Sequence, residues 1–136
     1  MLIVDTSVVV AAFGGWHVRH AEARSALRDR PRITAHGALE SYSVLTRLPS
    51  PHTAPAEVAV EFLRRRFPPA ERLALSAASQ RRSVDRLAEL GIIGGAVYDG
   101  LIALAAAEEG GELVSFDQRA LVTYRRCGAT VRDLGP

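Results

Sequence analysis

The chain contains no lysine; all 17 of its basic residues are arginine. A phosphoacceptor domain of the receiver kind, which also gathers acids around a cation at the ends of parallel strands, is thereby excluded, because it needs a lysine near its last strands. There is one cysteine, Cys127, so no internal disulfide forms, and no Cys/His cluster has the spacing of a zinc site. A reducing, cytoplasmic setting is expected. No stretch approaches the ~18 consecutive apolar residues that a membrane span requires, and the apolar start has neither Lys nor Arg before it and is interrupted by Asp5. A soluble protein without a membrane partner is the expectation.

What is present is enough to build a core: 136 residues, 48% of them hydrophobic, the size of one domain spanning 1–136. The net charge of +2 is too mild to establish nucleic-acid binding. The arginines are nevertheless concentrated at 64–66, 81–82 and 125–126, and arginine is the better fork for phosphate. The plainer reading of any one cluster is a solvated helix face: Glu61 precedes Arg64 and Arg65 by three and four residues, the spacing of a surface pair.

Short apolar runs alternate with helical patterns. "LIV" (2–4) reads as a buried strand, and "TSVVVAAF" as a helix started by Thr6 or Ser7 and stopped by Gly14 and Gly15. A second helix is expected over 17–29 and a strand at "RIT" (32–34). "AHGALESYSVLTRL" repeats at helical spacing until Pro49, and "PAEVAVEFLRRRF" lies between Pro55 and Pro68. "RLAL" (72–75) suits a short strand, followed by a helix capped by Ser76 and ending at Gly91. "AVYDGLIALAAAEE" is an apolar helix, "ELVSF" a strand, "DQRALVTYRR" the last helix and "ATVRDL" an edge strand. Such alternation predicts an α/β fold with a mainly parallel sheet covered by helices on both faces. Ligands of such folds bind beyond the carboxyl ends of the strands.

Four acids fall at that edge. Asp5 and Asp117 each follow a strand directly, while Glu40 and Asp99 lie in the early turns of helices. Three and four residues beyond Glu40 stand Ser43 and Val44, and beyond Asp99 stand Ile102 and Ala103, so neither has a basic helical neighbour; Asp85, by contrast, has Arg81 and Arg82 one turn earlier. Each acid alone is explained by capping or by the positive end of a helix. Together they repel: two carboxylates about 4 Å apart cost roughly 4 kcal/mol at an effective dielectric near 20. A cluster of four calls for a divalent cation or raised pKa values. Oxygen donors without Cys or His favour Mg²⁺ or Mn²⁺.

"IVDTS", "LESYSVLTRLP", "YDGLIALAA" and "LVSFD", in this order over nearly the whole chain, resemble the PIN-domain nucleases, and specifically the VapC toxins of bacterial toxin–antitoxin pairs. The resemblance implies a three-layer α/β/α fold and a metal-dependent endoribonuclease held inactive by a small VapB-like antitoxin. It also implies a homodimer, and RNA products with a 3′-hydroxyl and a 5′-phosphate. Carried over by position, Asp5, Glu40, Asp99 and Asp117 form the catalytic metal site, Thr6 or Ser7 supports Asp5, and Ser115 stands where the family often has threonine. Gly100 follows Asp99 where a better helix former is common, loosening the helix by up to ~1 kcal/mol. Arg119, Arg125 and Arg126 are expected to guide the RNA backbone.

Other features read more plainly. His17 and His20 lack a third ligand and fit a surface or helix-start position, and His36 fits capping or packing. Trp16 and "VAVEFL" suit core or an interaction surface. A dehalogenase-type phosphatase would want Asp where Ser7 stands. The rival of a different class is a PIN-like module that has lost catalysis and binds RNA or protein.

Overall fold

The computed structural model describes residues 1–136. Four strands, β1 (Leu2–Val4), β2 (Arg32–Ile33), β3 (Glu112–Ser115) and β4 (Thr130–Asp133), form one wholly parallel sheet in the order β2-β1-β3-β4. Side chains alternate across it, as the pleat requires. Val4, Ile33 and Val114 face one apolar cluster, shared with α1 (Thr6–Phe13), α2 (His20–Leu27), α3 (Ala35–Thr46) and α4 (Ala56–Arg66). Ile3 and Leu113 face the other, shared with α5 (Ala77–Glu89), α6 (Ala96–Glu108) and α7 (Gln118–Arg126). The expected three layers are present. No helix is long and apolar enough to cross a membrane.

Helix starts follow local chemistry. Thr34 accepts from the Gly37 N–H at 2.9 Å to start α3, and Ser76 accepts from the Ser79 N–H at 3.2 Å to start α5. In α1 the cap is Asp5 itself, rather than Thr6 or Ser7, with its Oδ1 taking the Ser7 and Val8 N–H groups.

Three expectations are corrected. The helix expected from 17 begins at His20, because His17 Nδ1 accepts the Arg19 N–H at 3.0 Å and offers that backbone an alternative to the helix. The helix after β2 stops at Thr46, before the residue that precedes Pro49, a position biased away from helical backbone. "RLAL" contributes only Leu73, which pairs with Thr34 in a single bridge. The reason is on the other side of that bridge: Thr34 is already the cap of α3, so the edge of β2 has no further residue to pair.

Gly100 also has a packing role beyond helix propensity. A Cβ there would stand 2.5 Å from Leu87 Cδ2, so the missing side chain lets Leu87 of α5 seat against α6.

Candidate active site

β1 and β3 run side by side, with Val4 opposite Val114, so the residues that follow them emerge at the same edge. Asp5 is 2% exposed. Its Oδ1 accepts the Ser7 hydroxyl at 2.5 Å, the Ser7 N–H at 3.0 Å and the Val8 N–H at 3.4 Å. Its Oδ2 accepts the Tyr124 hydroxyl at 2.9 Å and the Ser115 hydroxyl. Burial pushes this carboxyl above its ordinary range, opposed by the hydrogen bonds from Ser115, Ser7, Tyr124 and Val8.

The two serines do more than donate. Ser7 Oγ accepts the Phe116 N–H at 3.0 Å, and Ser115 Oγ accepts the Asp117 N–H at 2.9 Å. Each hydroxyl therefore joins the Asp5 carboxylate to the backbone of the turn between β3 and α7. Serine at 115 fills the supporting place that the resemblance assigns to threonine.

Of the two candidate supports for Asp5, Ser7 is the one in contact. The Thr6 hydroxyl instead donates to Glu40 Oε1 at 2.5 Å, and the Ser41 hydroxyl approaches Thr6 Oγ1 at 3.4 Å. Successive side chains of a helix point about 100° apart, which explains the split: Ser7 turns back to the cap while Thr6 faces α3. Glu40 is thereby tied to the first turn of α1.

Asp99, in the first turn of α6, is pushed up to about 6, first by burial and then by the charges of Glu40, Asp117 and Asp5. The same three acids thus act on one carboxyl from three separate elements. Asp117 caps α7, its Oδ1 accepting the Arg119 and Ala120 N–H groups at 3.0 and 3.1 Å. Capping and electrostatic membership of the cluster coexist. None of the four acids has a basic nitrogen within salt-bridge distance; all five ion pairs lie elsewhere.

The donor chemistry fits a hard divalent cation: four carboxylates, no soft ligand and no compensating arginine. No three acidic, His or Cys side chains close into a ready-made ligand cage. Mg²⁺ does not require one, because it keeps several of its waters and binds through one or two carboxylates directly.

The remaining sequence candidates are placed differently. Arg119 is exposed beside Asp117, whereas Arg125 lies eight residues beyond that cap, about 12 Å along α7 at 1.5 Å per residue, with Arg126 next to it. His20 Nδ1 is 2.8 Å from the Ala11 carbonyl, a backbone contact rather than a metal role. The His36 ring stacks on Tyr98, with centroids 5.8 Å apart. Trp16 stacks on His52 at 4.2 Å and stays 45% exposed.

Sequence reasoning missed Tyr124. Its one available signal was position: Ala120, Leu121 and Tyr124 share the buried face of α7, and a buried tyrosine needs a partner for its hydroxyl.

A PIN domain family model matches residues 2–126. The chain is 45% identical over 126 residues to "Ribonuclease VapC40" of Mycobacterium tuberculosis, covering 93% of each chain. It is 40% identical over 131 residues to "Ribonuclease VapC27" of the same organism, covering 96% of this chain and 94% of that one. Among solved structures, FitAcB from Neisseria gonorrhoeae superposes with a TM-score of 0.68 at 18% identity, covering 98% of this chain and 97% of that one. FitAB bound to the IR36 DNA fragment gives a TM-score of 0.65 at 15% identity, covering 98% and 94%. These last two likenesses concern the fold.

Proposed function

The chain belongs to the PIN-domain family and, within it, to the VapC ribonucleases, and from that premise we propose that Asp5, Glu40, Asp99 and Asp117 are the metal site of an Mg²⁺- or Mn²⁺-dependent endoribonuclease toxin. The observation that carries the reading is Asp99: a half-buried carboxyl pushed up to about 6 by burial first and then by the charges of three other acids, with no arginine paired to any of them.

When bound, a divalent cation supplies acidity to a water and positive charge against the transition state of phosphodiester hydrolysis. The chain's own residues prepare its place. Asp5 is fixed by five donors from three elements, so one carboxylate keeps its orientation through the reaction. Thr6 sets the rotamer of Glu40. Asp99, at about 6, is mostly ionised at neutral pH, and a bound cation would favour that form further by offsetting the neighbouring charges. Asp117 keeps Oδ2 free of backbone N–H groups while Oδ1 caps α7. Arg119 supplies positive charge beside the acids for the RNA backbone, and Arg125 and Arg126 extend it to the far end of α7.

The same acidity defines the inhibitor. An antitoxin chain that silences this pocket is expected to insert an arginine or lysine among the four acids, and a complex leaving them open would reject that. A homodimer and a cytoplasmic setting complete the proposal. All four acids are present and unpaired, which gives the rival noncatalytic module no support.

The experiment is end mapping of total RNA after brief expression of the protein and of Asp5→Asn. New 5′-phosphate and 3′-hydroxyl ends are expected with the wild type alone. The same ends from both proteins, or none from either, would refute the proposal.

A further inference from the structure

The opposite edge of the sheet carries the reverse charge. The carboxyl ends of α2 and α4 and the start of β2 enclose a cavity of about 430 Å³. Five arginines line it, Arg28, Arg30, Arg32, Arg65 and Arg66, against one acid, Glu71. The two helix ends add only about half a negative charge each, which leaves the cavity strongly positive.

Four of the five, Arg28, Arg30, Arg32 and Arg66, take part in no ion pair, whereas Arg65 is engaged by Glu61 at 2.6 Å. Arg32 is held in place by the Glu71 carbonyl, to which its Nε donates at 2.7 Å, and so retains its charge. Helix-end arginines complement a helix dipole, which accounts for Arg65 and Arg66 on α4 but not for Arg30.

Arg30 bears a second, independent mark. It follows α2 with φ at 51°, the left-handed region that a helix exit usually gives to glycine. Its N–H still closes the turn on the Leu27 carbonyl at 3.1 Å. Arginine there gives up the unstrained choice and places a guanidinium in the cavity, a pattern associated with function.

We propose that this cavity is an exosite for the phosphodiester backbone of single-stranded RNA, engaging the substrate away from the point of cleavage. The inference rests on the ribonuclease reading above. The lining favours backbone over base: its sole aromatic, Phe67, is 3% exposed, so no ring face is offered for stacking. Unpaired exposed arginines without an aromatic platform read charge spacing and not sequence. Arg30 lies four residues before Thr34, about 13 Å along an extended backbone, so a continuous RNA strand reaches from this edge toward the acids.

The test measures binding in EDTA, where nothing is cut, using a labelled single-stranded RNA long enough to reach both edges of the sheet. Wild type, Arg30→Gly and the double variant Arg30→Gly/Arg66→Ala are titrated over a range of salt. The double variant is expected to bind more weakly, with the slope of log affinity against log salt shallower by about 1.4, from two lost phosphate contacts on a single strand. Arg30→Gly is expected to melt at or above the wild-type temperature, which separates lost binding from lost folding. Hydrolysis of a labelled dinucleotide, too short to reach the cavity, should be unchanged. Equal affinity and equal salt slope in all three proteins would overturn the exosite. RNA binding that falls as expected in a protein that never cuts would sink the nuclease reading and leave the exosite standing.

Discussion

The Tyr124 hydroxyl donates to Asp5 Oδ2 at 2.9 Å, joining residues 119 positions apart through the buried centre of the site. Burial, and then the charges of Asp5 and Asp99, hold its proton far more tightly than an ordinary phenol. It therefore acts as a donor and not as a base. Tyr124→Phe keeps the ring and removes one donor from a buried carboxylate, which should cost about 1–3 kcal/mol. Urea unfolding at neutral pH is the measurement, and the deficit should shrink in acid, where Asp5 is protonated in both proteins. An unchanged midpoint would mean that the contact contributes nothing.

Asp99 makes stability depend on pH in a stated direction. Its folded value of about 6 lies above the ordinary 3.8, so the folded state holds this proton more tightly than the unfolded chain. Its contribution is fully present below about 3.8 and is lost as pH rises through about 6. Metal-free wild type should therefore lose melting temperature across that window. Asp99→Asn should show a flatter profile and a higher melting temperature above it. Added Mn²⁺ should raise the wild type more than the variant; equal shifts would deny a shared cation site.

Ser115 both donates to Asp5 and accepts the Asp117 N–H, so Ser115→Ala removes one of the two donors to Asp5 Oδ2 and leaves the Asp117 N–H without its acceptor. The expected loss is about 3 kcal/mol, since buried groups left unpaired forfeit their desolvation. Ser7→Ala breaks the matching pair of bonds, and the two changes should couple because they share Asp5. A double-mutant cycle with strictly additive losses would contradict the shared scaffold.

Thr6→Val keeps the shape of the side chain and removes the hydroxyl that sets Glu40. RNA cleavage should fall while the melting temperature barely moves, because the hydroxyl lies at the working end of the site. Loss of folding with full activity in the surviving fraction would place Thr6 in the scaffold instead.

Much of this was legible before any coordinates. Asp5 and Asp117 follow strands, and the parallel order of those strands dictates a common edge; the missing helical partners of Glu40 and Asp99 marked them as different from Asp85. Hydroxyl allocation was hidden. Nothing in "DTS" says that Thr6 serves Glu40 while Ser7 serves Asp5, because the choice depends on where α3 packs. Tyr124 was hidden likewise, its pattern being that of any core residue. The arginine cavity escaped because its members come from three segments, 28–32, 65–66 and the turn at 71, that only the fold assembles.

The most direct measurement is the initial rate of RNA hydrolysis as a function of Mn²⁺ for the wild type and Asp99→Asn. A cation site shared by the four acids predicts a saturable rise from a null rate in EDTA for the wild type, and little or no rise for the variant at the same concentrations. A wild-type rate that persists in EDTA, or a variant that follows the wild-type curve, would contradict the shared site.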